Sequence, residues 1–205
     1  IRAVMEERRI AFLPASVEWA DPDPVAMTIA LTLVDEPHIL PPEAVTRSFD
    51  LYLQHFRAMH QDQVPWSQYT PYEIRIIGAL VRLGRRSEAQ ELLEFFLSDR
   101  RPRPWNQWPE IAWRDYRTPG HLGDLPHAWI GAEYILVFLS LFLYEREADQ
   151  TLVIGAGIPE DWLETPEGIQ VRGLRCRYGR LDLSLGRTPG EALHLELGGD
   201  LELPA

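Results

Sequence analysis

The fold is decided by the apolar run YILVFLSLFLY at residues 134–144 and by the change of pattern that follows it. A membrane span needs about 20 apolar residues, whereas this run is shorter and is preceded by Glu133. A helix that is apolar all round is otherwise one that is buried on all sides. The run therefore predicts a buried helix, from about Pro126 to about Arg146, inside a helical protein.

After residue 149 the apolar residues alternate instead of recurring at helical spacing. Strict alternation is typical of a strand with one buried face, and it marks RLDLSL at residues 180–185 and ALHLEL at residues 192–197. The pair Gly198-Gly199 is a two-residue hairpin signal, which predicts a turn into residues 200–203. We therefore expect a helical domain over residues 1–149 and a small antiparallel β-domain over residues 150–205.

Helical spacing organises the first of these domains. Apolar residues mark one face of a helix at Val45, Phe49, Leu53 and Phe56. Two later helices are joined by the short link at residues 83–86, so they must be antiparallel neighbours. The predicted fold class is mainly α followed by β.

The charge and the motifs of the chain exclude several classes of function. With 20 Lys+Arg against 31 Asp+Glu the net charge is −11, which repels phosphate backbones, so we expect neither nucleic acid nor a membrane as a partner. Gly155-Ala156-Gly157 lacks the spacing of a phosphate-binding loop. No Cys/His set has the spacing of a zinc site. The sequence therefore predicts no cofactor and no metal.

Residues 99–125 form a long loop with the densest group of aromatic and carboxylate side chains. Its central stretch, WNQWPEIAW at residues 105–113, contains Trp105, Asn106, Trp108 and Glu110. Tryptophan rings stack on the apolar faces of sugars, while amides and carboxylates bind hydroxyl groups. The stretch thus predicts a saccharide subsite with Glu110 as acid, base or nucleophile. The alternative is a loop packed by its own tryptophans, with Glu110 in solvent.

A second group of candidates lies at the start of the last helix, in LGDLPHAW at residues 122–129. Asp124 is either a helix cap or a catalytic carboxylate. His127 either faces the ligand of the loop or is a structural histidine. Glu133, within the apolar helix, is costly to bury alone, so it must pair with an arginine or face a cavity.

Two further candidates precede the loop. Glu18 lies beside Trp19 just before a helix, and it is either the second carboxylate of a catalytic pair or an exposed loop glutamate. Tyr69, at another junction of a loop and a helix, is expected to extend the same cleft. Glu73 is expected to interact only with the dipole of its helix.

The stretch Trp108-Pro109-Glu110, followed by residues 122–129, resembles the end of bacterial glycoside hydrolases and phosphorylases built on an (α/α)6 barrel. In these six-hairpin glycosidases, which include glucoamylase-like enzymes, a catalytic-base glutamate lies in the loop before the final barrel helices. The resemblance places that base at Glu110. It departs at Asp124 and His127, where the family pattern has asparagine and glutamine.

The β-tail extends the resemblance. Residues 154–162 and 171–179 resemble the β-domain that follows the barrel in sugar phosphorylases and barrel-type fucosidases. The resemblance implies a partial (α/α)6 toroid whose N-terminal half is missing from this chain, because about six helical segments are predicted and the full barrel has twelve. The general acid of this family type lies near mid-barrel, which makes Glu18 its candidate here.

The predicted function is that of a glycoside hydrolase acting on an oligo- or polysaccharide, with catalytic carboxylates in an aromatic-lined cleft. The resemblance implies that Trp105, Trp108 and Tyr69 form the walls of the subsites. The alternatives are a sugar phosphorylase, a non-catalytic carbohydrate-binding or structural module of a larger protein, and a polysaccharide lyase. The lyase would use Tyr116, Arg114, His121 and Asn106 to abstract a proton beside a uronate.

Overall fold

The computed structural model describes residues 1–34, 37–101, 103–121, 123–165, 167–187 and 192–202. Within these ranges the α-helices are α1 (Arg2–Arg8), α2 (Thr28–Thr32), α3 (Pro42–His60), α4 (Arg75–Arg82), α5 (Arg86–Ser98) and α6 (Ala128–Phe142). The strands are β1 (Gln68–Tyr69), β2 (Ala112–Trp113), β3 (Leu143–Arg146), β4 (Thr151–Ile154), β5 (Ile169–Cys176), β6 (Gly179–Arg187) and β7 (Leu193–Gly199). Helices followed by small antiparallel sheets confirm the predicted order, mainly α and then β.

The chain divides into two compact units, Ile1–Val137 and Phe138–Ala205. This division falls inside α6, whereas the change of periodicity that set the predicted boundary comes after residue 149. The difference has a packing origin, because Leu143 of β3 shares a hydrophobic cluster with Leu174 and Leu181 of the following sheet. The end of α6 and the β3–β4 hairpin thus group with the β-tail.

The core of the first unit is built by α3, α4 and α5. Phe49, Leu53 and Phe56 of α3 are buried, as their spacing predicts. The helices α4 and α5 pack against each other across the predicted short link. Gly84 in that link has a φ of +71°, a backbone conformation that glycine adopts without strain.

Helix α6 is shorter and less buried than predicted. It ends at Phe142, whose carbonyl accepts a hydrogen bond from the N–H of Gly155 at 2.8 Å, and the chain passes directly into β3. One stripe of the helix is buried, whereas Ile135 and Leu136 are exposed. The expectation of burial on all sides is therefore contradicted in the described structure. No helix among the described residues combines the length and the hydropathy that a membrane span requires.

The second unit contains two antiparallel sheets, β3–β4 and β5–β6–β7. The predicted hairpin at Gly198-Gly199 is wrong: both glycines belong to β7, and they pair with Asp182 and Leu181 of β6. A Cβ at Gly199 would lie 2.1 Å from the carbonyl oxygen of Arg180. The glycine therefore permits a close approach of two strands and does not form a turn.

Candidate functional site

The candidate site forms where two loop segments, residues 108–110 and 123–127, lie side by side before α6. The N–H of Glu110 donates to the carbonyl of Asp124 at 3.0 Å, and the N–H of His127 donates to the carbonyl of Trp108 at 3.4 Å. A third bond runs from the N–H of Asp124 to Oε2 of Glu110, at 3.3 Å. The backbone thus brings together Glu110, Asp124 and His127, three of the residues that the sequence singles out.

Gly123 leaves room for the Glu110 carboxylate. Its φ is +60°, and a Cβ added there would lie 2.7 Å from Oε2 of Glu110. No side chain fits in that space without moving the carboxylate. Glu110 is half-buried, so its carboxylate is both restrained and accessible.

His127 connects this carboxylate group to a tyrosine of an earlier loop. The Tyr72 hydroxyl lies 2.7 Å from Nε2 of His127, and Nδ1 faces the Asp124 carboxylate at 3.6 Å. With the proton of a neutral imidazole on Nδ1, Tyr72 donates to Nε2; with the proton on Nε2, His127 donates to the Tyr72 oxygen and Nδ1 is left as a ligand atom. Burial, and next the nearby Glu110 carboxylate, raise the pKa of Tyr72, which keeps this phenol protonated.

A buried ion pair lies next to the Tyr72 ring. Arg75 forms a salt bridge with Glu133 of α6, and both side chains are largely buried. Of the two predicted alternatives for Glu133, an arginine partner or a cavity, the structure has the arginine. The guanidinium of Arg75 also lies 5.7 Å from the centre of the Tyr72 ring, a cation–π distance. The apolar helix is thereby tied to the phenol that contacts His127.

Thr70 connects the Tyr72 loop to the Glu110 loop. Its hydroxyl accepts from the N–H of Tyr72 at 3.4 Å and donates to the carbonyl of Glu110 at 3.3 Å. The first contact caps the helical turn that begins at Pro71. The Thr70 side chain therefore links the backbone of Tyr72 to the backbone of Glu110.

The same three side chains could also hold a cation. Glu110, Asp124 and His127 each offer a ligand atom, and these atoms lie within 4.8 Å of one another. Nδ1 of His127 makes no hydrogen bond at its 3.6 Å distance from Asp124, while Tyr72 holds Nε2 as an orienting contact does in metal sites. Motif spacing did not indicate this set, because its members come from two segments that only the fold brings together.

Two predicted walls of the subsite are buried. Trp108 donates from Nε1 to the carbonyl of Phe96 at 3.1 Å, and its ring packs against Tyr134. Tyr69 donates to Oδ2 of Asp99 at 2.5 Å, and burial followed by that carboxylate raises its pKa well above the usual value. With so little of either ring accessible, both residues have the environment of packing residues and not of sugar-stacking surfaces.

The other predicted residues lie outside this cluster. Trp105 is 61% exposed. Asn106, at a φ of +50°, accepts a hydrogen bond from Arg100 at 2.6 Å. Glu18 is exposed, and it makes no hydrogen bond or ion pair with any described residue. Leu122, in the predicted run before α6, lies outside the described residues.

Trp129 is an exposed aromatic residue that sequence reasoning did not place in the site. Its side chain is 62% exposed, and its ring meets that of Tyr72 edge-to-face at 5.3 Å. The signal was its position two residues after His127, in the first turn of α6.

No family model, curated protein or solved structure matches the chain.

Proposed function

We propose that the chain is part of a glycoside hydrolase acting on an oligo- or polysaccharide, with Glu110 as the base that activates water. The observation that supports this most directly is the hydrogen bond from the N–H of Asp124 to Oε2 of Glu110, on a side chain that is half-buried. A carboxylate that is held in one orientation and remains open to solvent is pre-organised to accept a proton.

Asp124 acts as an orienting group in this proposal. An inverting pair of carboxylates must be about 6.5–9.5 Å apart to leave room for the attacking water. One oxygen of Glu110 and one of Asp124 lie within 4.8 Å of each other, which is closer than an inverting pair requires. Asp124 instead faces Nδ1 of His127, and a separate carboxylate serves as the general acid, for which Glu18 remains the candidate.

The exposed face of α6 supports the proposed (α/α)6 toroid. Ile135 and Leu136 are 59% and 44% exposed, although an apolar residue gains roughly 1.5–3 kcal/mol from full burial. Helices of the inner ring of a toroid are covered by neighbouring helices on both sides. In this proposal the N-terminal half of the barrel covers the exposed face of α6 and contributes to the cleft.

The function is tested by replacing the base. A panel of oligosaccharides is incubated with the protein and with Glu110→Gln, and release of reducing ends is measured. Glutamine keeps an oxygen acceptor for the N–H of Asp124 but cannot take a proton, so we expect kcat to fall by about 10²–10⁴-fold. Glu43→Gln, an exposed change on α3, is the matched control and should leave kcat unchanged.

The products and additives decide among the alternatives. Unsaturated, ultraviolet-absorbing products would replace the hydrolase proposal by a lyase, and turnover that requires inorganic phosphate would replace it by a phosphorylase. Loss of activity on chelation, with recovery on adding a divalent cation, would assign Glu110 to a metal site instead of a base. Full activity of Glu110→Gln would reject the catalytic role altogether.

A further inference from the structure

A cavity of about 590 Å³ lies beside the Glu110 loop, within the first unit. Pro109 and Ile111, the two neighbours of Glu110, line it, and so does Leu125, the neighbour of Asp124. Its volume falls within the roughly 300–1,000 Å³ typical of small-molecule sites. Glu110 itself is not part of the lining, so the cavity adjoins the proposed catalytic group and is distinct from it.

The charge of this cavity is opposite to that of the protein. Four arginines line it, namely Arg100, Arg101, Arg103 and Arg114, and Asp99 is the only acidic residue in its described lining. In a chain of net charge −11, such a local excess of positive charge is not a by-product of composition. A pocket lined by one sign of charge attracts ligands of the opposite sign.

Two of the four guanidinium groups are already neutralised. Arg101 forms a salt bridge with Asp99 at 2.8 Å. Arg114 pairs with Asp62 at 2.7 Å and lies over the ring of Trp66. These two arginines hold the loop and its walls in place.

The other two guanidinium groups have only neutral partners. Arg100 donates to the carbonyl of Leu97 and to the amide oxygen of Asn106. Arg103 donates from Nε to the carbonyl of Ser98 at 3.1 Å. Within the described part of the chain, neither has a carboxylate partner. Two uncompensated charges therefore remain available in one cavity.

Apart from Ser98, the rest of the lining is apolar or aromatic. Ile111, Ala112 and Leu125 form an apolar wall, and Tyr116 is 66% exposed. An inorganic anion would use the arginines but gain nothing from these surfaces. A pyranose ring offers C–H faces that fit an aromatic wall, and an acidic group on the ring would meet the arginine fork.

We infer that this cavity is a subsite for one acidic sugar unit, a hexuronate, of the saccharide. The inference rests on the proposed function for the rest of the substrate, whereas binding of the unit itself requires no turnover. The carboxylate of the sugar pairs with Arg100 and Arg103, and the ring lies against Tyr116. Since the protein as a whole is acidic, isolated acidic units suit it better than a densely charged polyanion.

Ligand-observed NMR titration tests the subsite. The probes are glucuronate, glucose as the neutral ring, and inorganic phosphate as the bare anion. We expect glucuronate to bind at least about tenfold more tightly than either of the others, since charge-assisted hydrogen bonds and ring contacts both contribute. Arg103→Gln should weaken glucuronate binding by about tenfold or more and leave glucose unchanged, because Arg103 is exposed and its loss should not affect folding.

The control variant is Arg47→Gln, which removes the same charge from an exposed position of α3 that is outside the lining. Equal binding of glucose and glucuronate, or an unchanged affinity in both Arg103→Gln and Arg100→Gln, would overturn the subsite. Phosphate binding as tightly as glucuronate would reduce it to a site for a bare anion and so reject the sugar. If glucuronate binds as expected but Glu110→Gln is fully active, only the proposed function fails.

Discussion

The Tyr72 hydroxyl and Nε2 of His127 lie 2.7 Å apart, although 55 residues separate them in the chain. This contact joins the loop before α4 to the loop before α6. It also fixes which nitrogen of His127 faces Asp124. Tyr72 therefore orients the histidine that lies between its own hydroxyl and the Asp124 carboxylate.

Removing that hydroxyl should affect turnover more than stability. In Tyr72→Phe the ring and its contact with Trp129 remain, while His127 loses a hydrogen-bond partner. We expect the free energy of unfolding to fall by about 1 kcal/mol and kcat to fall by about tenfold with KM unchanged, the result for a positioning residue. Tyr178→Phe, at a turn of the β-unit, is the control; equal kinetics in both variants would contradict the role of Tyr72.

Gly123→Ala should displace the Glu110 carboxylate. The variant incurs a cost of about 1–2 kcal/mol for a left-handed backbone, and its Cβ collides with Oε2 of Glu110. Gly84→Ala incurs a similar backbone cost, since its φ is +71°, but meets no atom within 4 Å. We expect both variants to be destabilised in denaturant unfolding and only Gly123→Ala to lose activity. Loss of activity in both would show that stability, not the collision, is responsible.

The ion pair of Arg75 and Glu133 should be strongly coupled. Glu133→Leu leaves a buried guanidinium without its carboxylate, which should lower the free energy of unfolding by about 3–5 kcal/mol. Adding Arg75→Met should recover most of that loss, because the charge is then removed as well. The exposed pair of Arg57 and Glu91 is the comparison, and Glu91→Gln should change stability by less than about 1 kcal/mol.

Glu73 should make stability depend on pH. Burial raises the pKa of Glu73 to about 7, although the hydrogen bond from Tyr52 opposes the rise. The folded state therefore binds this proton more tightly than the unfolded state, whose carboxyl titrates near 4.5. The contribution of Glu73 to stability is fully present below pH 4.5, falls as the pH rises, and is lost above about pH 7.

Comparison with Glu73→Gln isolates this effect, because every other carboxylate is common to both proteins. The difference in the free energy of unfolding should move by about 3 kcal/mol in favour of the variant between pH 4.5 and pH 8. Chemical denaturation at a series of pH values measures it. A difference that does not vary with pH would show that Glu73 is as hydrated in the folded protein as in the unfolded one.

Periodicity predicted the local elements well, because it reports burial directly. The apolar face of α3 and the link between α4 and α5 follow from local pattern. The cost of burying a charge limited Glu133 to an arginine partner or a cavity, and the structure has the arginine. The residue at which α6 ends could not be predicted from the local pattern. Leu143 and Tyr144 continue the apolar run but pair with Ile154 and Val153 in a hairpin, and such tertiary pairing leaves no mark on a local pattern.

The site was predictable in part for the same reason. The backbone bonds between Glu110 and Asp124 join segments that composition had already marked as unusual. By contrast, the sequence analysis predicts Tyr69 as a cleft residue, whereas the structure buries Tyr69 and places Tyr72, three residues later, against His127. The chemistry of its ring predicts Trp108 as a wall of the subsite, but its indole N–H donates to the carbonyl of Phe96 within the core.

The backbone hydrogen bonds between residues 108–110 and residues 123–127 hold together the two ends of the loop that contains residues 111–121. This loop contains three residues that line the cavity, namely Trp113, Arg114 and Tyr116. Glu110 and His127 lie outside it. Insertions, deletions or substitutions in this loop can therefore change the shape of the cavity without moving the Glu110 carboxylate. In the proposed function, residues 111–121 contribute the aromatic side of the cavity and Arg100 and Arg103 its charge. Exchange of residues 111–121 is therefore expected to change which ring the cavity accepts and to leave the chemistry at Glu110 unchanged.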